Sequence, residues 1–378
     1  MESARKVRWL SVVGARPQFI KLAPVCRAID AHNFAGRAPR IEHCIVNTGQ
    51  HYDREMAELF FGQLRIPEPK YDLGVGSGSH GEQLGRMLEG LEPVLVSENP
   101  DWAIVYGDTN STLAGALLAA RLGFPLAHVE AGCRSYKCAM PEEQNRKLVD
   151  HLSQILLAPS QSAMNNLSRE GIGAADDPLR RSVALVGDVM YDALLANLNL
   201  AEPRTPQNLQ TFGLEDNGYY LLTLHRAENT ENPDRLLSIL AALENAGFPV
   251  LFPIHPRTRK ILRDATIPVD NCNLRIVSPL GYLDMVAVEK HARKILTDSG
   301  GVQKEAFYLR VPCVTLRDET EWPETVELGA NRIAGTNKDR ILAALLEVCP
   351  SFEAMSSPFG DGHACERILC ELLPHSKG

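Results

Sequence analysis

Short apolar runs rich in β-branched residues alternate along this chain with segments of helical pattern. Strands that are apolar along their whole length are buried on both faces, so the intervening helices must cover a parallel sheet. In the first half, the pattern predicts strands at residues 7–13, 41–47, 102–106, 125–130, 154–158 and 182–186. Helices are predicted to begin near Pro17, Asp53, Glu82, Ser111, Pro141 and Ser160. The alternation therefore predicts an α/β protein.

A polar, proline-containing stretch at residues 195–217 interrupts the alternation, which restarts at YYLLTLH and continues to VPCVTLRD. The 378 residues are enough for two domains with well-buried cores. We expect residues 1–195 and 196–360 to form two Rossmann-like, doubly wound domains that face a central cleft. A helix within residues 361–378 is expected to pack back on the first domain. Because ligands bind beyond the carboxyl ends of strands in such sheets, the cleft is the expected binding site.

The net charge of −8 argues against a broad surface for nucleic acid or anionic membrane, although a local arginine cluster still suits a small anion. The nine cysteines include no Cys-x-x-Cys pair, which indicates reduced thiols and neither a disulfide framework nor a zinc site. No run reaches the roughly 18 apolar residues of a membrane span, and the N-terminal stretch lacks a signal-peptide cleavage site. We expect a cytoplasmic protein without nucleic-acid or membrane partners.

Charged or hydrogen-bonding residues follow nearly every predicted strand. The segments are GARPQFIK, NTGQHYD, YGDTNST and VEAGCRS in the first half, and LHRAEN, IHPRTRK, TDSGGVQKEA and LRDETEWPE in the second. Parallel strands bring their carboxyl ends to one edge of a sheet, where ligands bind. The sequence therefore predicts a polar site at that edge of each domain.

Two of these turns suit a phosphate group. Arg16 and Lys21 lie beside the predicted start of a helix, where backbone N–H groups and the helix dipole attract anions. The sequence Ser-Gly-Gly at residues 299–301 opens another helix, and Glu305 stands one turn further on, where it suits ribose hydroxyls. The alternatives are an ordinary turn with solvated bases and a simple N-cap. The pairing of two such turns favours a ligand.

GSGSHG, at residues 76–81, formally matches the dinucleotide-binding pattern G-x-G-x-x-G. However, the preceding PKYDLGV lacks a convincing strand pattern, and Asp101 precedes its strand, whereas the pattern requires an acidic residue at the strand end. A Gly/Ser loop near the cleft is therefore favoured over nicotinamide binding.

His225 ends the predicted strand in LTLH. No second histidine stands at ligand spacing, so we expect no metal. A histidine at a strand end is often a packing residue; beside a phosphate it would donate a hydrogen bond or act as an acid.

Three carboxylates, Asp108, Glu130 and Glu142, come from adjacent connections at one predicted edge. Carboxylates crowded in a partly closed cleft raise one another's pKa, so that one holds a proton while its neighbour is ionised. The alternative is ion pairing with Arg134 and Arg146. We favour acid/base chemistry, because Asp108 and Glu130 end buried strands, where an idle charge is costly.

The motifs GARPQFIKLAPV, NTGQHYD, GDTNSTLAGALLAA, HVEAG, MPEE, HRAEN, TDSGGVQKEA and LRDETEWPETVE resemble those of the non-hydrolysing UDP-N-acetylglucosamine 2-epimerase family, in order and from residue 12 to about 329. The resemblance implies a GT-B fold, a UDP-activated 2-acetamido sugar in the cleft and a homodimer, without metal or nicotinamide. It also implies a mechanism. UDP is eliminated to leave a 2-acetamidoglucal, and a proton and UDP are then returned with inversion at C2.

The same resemblance implies roles for individual residues. The acid/base carboxylates would be Asp108, Glu130 and Glu142, and His225 would stabilise the departing phosphate. The nucleotide would be held by Arg16, Lys21, Arg146, Ser299, Gly300, Gly301 and Glu305, with Arg317 nearby.

This chain departs from the commonest family pattern, with Gln18 in place of Glu and Trp322 in place of Arg. At both positions the chain resembles the branch of the family that acts on UDP-2,3-diacetamido-2,3-dideoxy-glucuronate, a sugar of lipopolysaccharide O-antigen assembly. Family members that are activated by a second UDP-GlcNAc carry Gln and Arg near the positions of Glu55 and Glu82. This chain retains Gln50 and His51 but has acids at those two positions, so the sequence does not decide whether UDP-GlcNAc activates it.

Three other functions remain open from the sequence. A hydrolysing epimerase and a GT-B glycosyltransferase would use the same nucleotide site, and a UDP-sugar-binding regulator would bind without turnover.

Overall fold

The computed structural model describes residues 6–50, 61–62, 64–244, 246–254, 256–264 and 273–376. The chain divides into two compact units, one formed by Met1–Ala193 with Ser357–Gly378 and the other by Leu194–Ser356. The helix predicted to begin near Asp53 lies outside the described residues, as do His51 and Glu55.

A parallel sheet organises the first unit. Its described strands are β1 (Lys6–Val13), β2 (Arg40–Asn47), β3 (Tyr71–Asp72), β4 (Trp102–Tyr106), β5 (Leu126–Val129), β6 (Ile155–Ala158) and β7 (Ser182–Leu185). They pair in the order β3-β2-β1-β4-β5-β6-β7, and every pairing is parallel. The six predicted strands agree with these to within one residue at each end. The two-residue edge strand β3 was not predicted, because PKYDLGV carries no apolar run.

Helices connect these strands and bury their apolar faces on the sheet. They are α1 (Arg16–Phe34), α2 (His80–Glu98), α3 (Asn110–Leu122), α4 (Pro141–Leu152), α5 (Gln161–Arg169) and α6 (Val189–Ala201). Side chains of Ser79, Thr109 and Ser160 cap three of them by accepting backbone N–H groups. Met87 and Leu91 of α2 pack with Leu10 and Val105 of the sheet in one buried cluster. The strand-end turns are thereby fixed on a packed core.

The second unit repeats this organisation. Its described strands are β8 (Tyr220–Thr223), β9 (Val250–Pro253), β10 (Leu274–Val277), β11 (Lys294–Thr297), β12 (Cys313–Thr315) and β13 (Asn331–Ile333), in the order β10-β9-β8-β11-β12-β13. Leu222 and Leu296 belong to one buried cluster, whereas their neighbours Leu221 and Ile295 belong to another. Both faces of the sheet are therefore covered, as its apolar strands predict. The short strand β13 was not predicted.

The helices of this unit are α7 (Thr205–Phe212), α8 (Ala227–Thr230), α9 (Pro233–Leu243), α10 (Pro256–Asp264), α11 (Tyr282–Lys290), α12 (Gly300–Tyr308), α13 (Pro323–Glu327) and α14 (Lys338–Leu346). Helices α6 and α7 occupy most of residues 195–217, and neither was predicted from this polar, proline-containing stretch. Leu209, Phe212 and Leu214 pack on a buried cluster there, and Pro206 stands at the start of α7, where proline is tolerated.

The last helix, α15 (Ala364–Leu372), belongs to the first unit. The Asp192 carboxylate caps it by accepting the backbone N–H groups of Ala364 and Cys365 at 3.1 and 2.8 Å. The Trp102 indole donates to the carbonyl of Leu372 at 3.1 Å. Buried hydrogen bonds therefore attach the C-terminal helix to residues that are distant in sequence. No helix in the described ranges has the length and apolar character that a bilayer-spanning segment requires.

Candidate active site

Asp108 follows β4 in a turn that begins at Gly107. The carboxylate is about a quarter exposed, and its Oδ2 accepts a hydrogen bond from Arg146 NH2 on α4 at 2.5 Å. The Asp108 carbonyl accepts the side-chain amide of Asn145, also on α4, at 2.8 Å. Helix α4 therefore holds both the side chain and the backbone of Asp108.

Glu130 ends β5 in a left-handed backbone conformation, with φ of +69°. This conformation costs a residue other than glycine roughly 1–2 kcal/mol. The N–H groups of Glu130 and Ala131 both donate to the Leu157 carbonyl of β6, at 3.1 and 3.2 Å, and hold the turn. The nearly buried carboxylate lies 2.7 Å from Lys21 Nζ. Strain of this kind persists only where the surrounding structure fixes it, and it concentrates at functional sites.

Lys21 also lies against the Asp108 turn. Gly107 has φ of +64°, and a Cβ at this position would come within 2.8 Å of Lys21 Nζ. The backbone conformation therefore favours glycine, and the missing Cβ leaves room for the Lys21 ammonium group. Lys21 thus contacts the two turns that carry Asp108 and Glu130.

Glu142 and Glu143 open helix α4 but differ in their surroundings. Glu143 is buried, accepts the N–H groups of Ser135 and Tyr136 at 2.8 and 3.1 Å, and pairs with Arg146. Burial opposes its charge, but the Ser135 N–H and the Arg146 charge outweigh burial and lower its pKa. Glu142 is half-buried, lies on the helix face of Arg146 one turn earlier, and has no hydrogen-bond or ion-pair partner among the described residues.

The strand-end carboxylates Asp108 and Glu130 therefore each have a cation as a direct partner. Of the two ion pairs given as the alternative, the one with Arg146 is formed by Asp108. Arg134 instead pairs with the buried Asp150 and with Glu170.

Gln18 is a supporting residue of this site that the sequence analysis noted only as a departure from the family pattern. Its Oε1 accepts the N–H groups of Gly14 and Ala15 at 2.9 and 3.1 Å. Its Nε2 donates to the Tyr106 carbonyl and to Thr112 Oγ1, at 3.1 and 3.0 Å. Gln18 thereby ties the turn after β1 to the turn after β4. A Gln or Glu at the third helical position is the sequence signal of such a capping box.

Arg16 is partly buried at the first position of α1. GSGSHG leads into helix α2, but the strand before it is the two-residue edge strand β3, so the dinucleotide pattern lacks its central strand. Gln83 of α2 donates to the Gly76 carbonyl at 2.9 Å and accepts the Asn110 amide at 2.8 Å. The loop is therefore tied to the helix that follows Asp108.

In the second unit, His225 and Asp298 form a pair at the ends of β8 and β11. His225 Nδ1 lies 3.0 Å from Asp298 Oδ1, and the imidazole is about half exposed. Asp298 is buried and also accepts the N–H of Arg226 and the amide of Asn229, each at 3.1 Å. The sequence analysis did not single out Asp298, which holds the Nδ1 side of the half-exposed His225 ring.

Ser299 caps α12 by accepting the N–H of Val302, so Gly300 and Gly301 are the first helical residues and their N–H groups have no partner within the helix. Trp322 Nε1 donates to the Gly300 carbonyl at 3.0 Å, and Lys304 Nζ lies 4.1 Å from the centre of the Trp322 ring. Trp322 therefore covers the start of α12. Glu305 is buried one turn further on.

Arg317 has a strongly acidic environment. Its guanidinium is buried and lies 2.9 Å from Glu321, 3.3 Å from Glu319 and 3.7 Å from Glu228. Three carboxylates more than balance its charge, so an anion near Arg317 would face a locally negative cluster.

A cavity of about 370 Å³ lies at the opposite edge of the first sheet. Trp102, Pro125, Gln154 and Ser182 line it at or just before the amino ends of β4 to β7, and it contains none of the predicted site residues. Among the residues that the structure describes, no group of three or more His, Cys, Asp or Glu side chains is placed to hold a metal ion.

Comparison with known proteins relates this chain to one family. The family model described as UDP-N-acetylglucosamine 2-epimerase matches residues 35–373. A UDP-N-acetylglucosamine 2-epimerase homolog of Methanococcus maripaludis is 48% identical over 363 residues, covering 95% of this chain and 98% of that protein. The UDP-2,3-diacetamido-2,3-dideoxy-D-glucuronate 2-epimerase of Pseudomonas aeruginosa is 43% identical, covering 95% of this chain and 97% of that protein.

Among solved structures, the UDP-GlcNAc 2-epimerase of Methanocaldococcus jannaschii in complex with UDP-GlcNAc and UDP has a TM-score of 0.85 at 43% identity. The match covers 97% of this chain and 99% of that one. The predicted α/β fold class of GT-B type is confirmed by these likenesses and by the two parallel sheets.

Proposed function

The chain belongs to the UDP-N-acetylglucosamine 2-epimerase family, whose members are isomerases, and we propose that it epimerises a UDP-activated 2-acetamido sugar at C2 without hydrolysing it. The observation that carries this proposal is the placement of Asp108 and Glu130. Both stand at the carboxyl ends of adjacent buried strands, one after a glycine turn and one in a strained turn, with Lys21 against each.

The chemistry explains why such groups are needed. The C2 hydrogen of a 2-acetamido sugar is not adjacent to a carbonyl, so direct removal of the proton is very unfavourable. Departure of UDP from C1 makes the C2 proton removable and gives a 2-acetamidoglucal. A proton returned to the other face of C2, followed by addition of UDP, completes the inversion. Two faces require two acid/base groups, or one group that is reached from both sides of the ring.

The surroundings of the carboxylates suggest how these roles divide. The Lys21 ammonium at 2.7 Å favours the ionised form of Glu130, which is the form that a general base requires. Asp108 pairs with Arg146, and Glu142 lies one helical turn from that arginine. We assign acid/base roles to all three carboxylates, in a first domain of residues 1–195.

The second domain, residues 196–360, is proposed to hold UDP. The ring of His225, oriented by Asp298, would donate to the diphosphate as it departs. The start of α12 would bind phosphate through the N–H groups of Gly300 and Gly301 beside Ser299, and Glu305 would accept ribose hydroxyls. Arg16, Lys21 and Arg146 would contribute positive charge, and Arg317 would act only within its carboxylate cluster.

For the substrate, Gln18 and Trp322 favour the 3-acetamido uronate branch, and a relative of that name is 43% identical to this chain. We accordingly propose UDP-2,3-diacetamido-2,3-dideoxy-D-glucuronate as substrate, a role in O-antigen sugar synthesis in the cytoplasm, and a homodimeric enzyme.

Side-by-side turnover of this uronate and UDP-GlcNAc, followed by NMR of the products, tests the proposal. We expect a kcat/KM at least about tenfold higher for the uronate, equivalent to about 1.4 kcal/mol of transition-state preference. A preference for UDP-GlcNAc would contradict the proposed uronate substrate but would agree with the proposed epimerase reaction. Accumulation of UDP with free sugar would identify a hydrolysing enzyme, and transfer to an acceptor would identify a glycosyltransferase. Binding without turnover would identify a regulator.

A further inference from the structure

A fully buried ion pair lies directly behind the proposed acid/base carboxylates. His128 is in the middle of β5, and its Nδ1 lies 2.7 Å from Asp150 Oδ1 on α4. Its other ring nitrogen, Nε2, lies 2.7 Å from the carbonyl oxygen of Gly107. We propose that His128 is held as an imidazolium and that His128 and Asp150 are positioning residues for the turns of Asp108 and Glu130. The positioning role of His128 and Asp150 rests on the proposed function, whereas the charge of His128 does not.

The charge of His128 follows from its hydrogen-bond partners. A carbonyl oxygen only accepts, and so does an ionised carboxylate, whereas a neutral imidazole has a single N–H to donate. Both ring contacts are satisfied together only when each nitrogen carries a hydrogen. A neutral ring would require Asp150 to carry the proton instead.

The surroundings of Asp150 favour its ionised form. Its Oδ2 lies 2.7 Å from Arg134 NH1 and accepts the N–H of Gly132 at 3.1 Å. Burial opposes the charge, but the hydrogen bond from His128 and the charge of Arg134 outweigh burial and lower the pKa of Asp150. Arg134 also pairs with the partly exposed Glu170, so the two cations are balanced by two anions.

This pair controls the backbone on both sides of the site. Through His128 it fixes the Gly107 carbonyl, immediately before Asp108. Directly through Asp150 it fixes the N–H of Gly132, two residues after Glu130. Gly132 has φ of +81°, and a Cβ there would lie 2.4 Å from the Ala163 carbonyl oxygen, so this turn has little freedom. One buried carboxylate therefore links the turns of two proposed catalytic residues.

Replacement of Asp150 by Asn tests the positioning role. In this variant one orientation of the amide directs its NH2 group at the Gly132 N–H and Arg134, which are both donors, and the other orientation directs it at His128 Nδ1, which must then lose its hydrogen. Either orientation removes the anion that links the two turns. A displacement of about 1 Å at a catalytic group costs roughly 10²-fold in rate. We expect D150N and His128→Gln to lower kcat about 10²-fold while KM and the affinity for UDP change by less than about threefold.

His43→Gln is the matched control. His43 on β2 contacts Ser11 and Cys26, and among the described residues it makes no hydrogen bond to either site turn. We expect this variant to lose stability and keep kcat. Folded D150N and H128Q with unchanged kcat would overturn the positioning role, as would losses confined to KM.

The charge state is measured independently on the wild-type protein. In ¹⁵N-histidine-labelled protein, with the His128 signal assigned by its absence in H128Q or by sequential backbone correlation, both ring nitrogens should show the shifts of N–H nitrogens under the conditions of the activity assay. The charged groups of this cluster are Asp150, Arg134 and Glu170. A neutral tautomer under these conditions would overturn the imidazolium. Because this readout needs no substrate, it separates a failure of this inference from a failure of the epimerase assignment.

Discussion

Lys21 Nζ lies 2.7 Å from Glu130 Oε2, and each side chain is only about a tenth exposed. The lysine comes from the second turn of α1 and the glutamate from the end of β5, so the contact joins two strand-end connections of one sheet. In the sequence, Lys21 resembled a phosphate ligand. Its position also makes it the counterion of a proposed base, and the two roles have different kinetic consequences.

Replacement of Lys21 by Met separates these roles. Without its cation, Glu130 is protonated more readily, so the acidic limb of the pH profile of kcat/KM should move to higher pH and kcat at neutral pH should fall. The measurement is a steady-state pH profile. An increase in KM alone would assign Lys21 to nucleotide binding only. Lys70→Met is the control, because Lys70 forms a similar 2.7 Å pair with Glu98 at the surface, and it should leave the profile unchanged.

Replacement of Glu130 by Gly or Ala tests the strained turn. Both variants should lose activity, but Glu130→Gly should be more stable than Glu130→Ala by about 1 kcal/mol, because glycine adopts positive φ without steric cost. Urea unfolding measures the difference. At Lys147, inside helix α4, the order should reverse, with the glycine variant less stable by about 1 kcal/mol. Equal stabilities of the two Glu130 variants would show that the turn is not strained.

Glu142 and Glu143 provide a matched pair of adjacent carboxylates. Glu142→Gln should lower kcat about 10²–10⁴-fold and leave the free energy of unfolding unchanged, as expected for a proton-transfer group without structural partners. Glu143→Gln should destabilise the protein by about 1–3 kcal/mol, because it disturbs the contacts with the Ser135 and Tyr136 N–H groups and with Arg146. Steady-state kinetics give kcat of the two variants, and chemical unfolding gives their free energies of unfolding. A reversed pattern would exchange the two assignments.

His43 should make stability depend on pH in a defined window. Burial lowers its pKa from 6.5 to about 4. The unfolded state therefore binds more protons than the folded state between these values, and stability is lost as pH falls from 6.5 to about 4. The loss amounts to up to about 3 kcal/mol. Thermal unfolding measured across this window should show that the stability of His43→Gln changes less with pH than that of the wild type. Equal slopes would contradict a folded state in which His43 is neutral across this window.

Much of the fold could be predicted from the sequence because the strands are continuous apolar runs bounded by glycine turns. Elements without that signal were missed or misjudged, namely the two-residue strand β3, the short strand β13 and the helices at residues 195–217. In that helical stretch, apolar residues at helical spacing are sparse, and burial of Leu209 and Phe212 on the second core supplies the stabilisation.

The site was partly predictable for the same reason. Parallel strands place their carboxyl ends at one edge, so strand-end residues such as Asp108 and Glu130 could be selected by position. The partner of each carboxylate could not, because Lys21 and Arg146 approach from other elements. His128 sits inside an apolar run and its partner Asp150 is 22 residues away, so no local pattern indicates the pair.

Deuterium incorporation at C2 tests the central claim most directly. The wild-type enzyme, incubated with the UDP-2-acetamido sugar in D2O, should give an epimer with one deuterium at C2 and no free sugar, and Glu130→Gln should slow this incorporation together with epimerisation. An epimer that keeps its original C2 hydrogen would contradict proton transfer by these carboxylates, and with it the mechanism proposed for this protein.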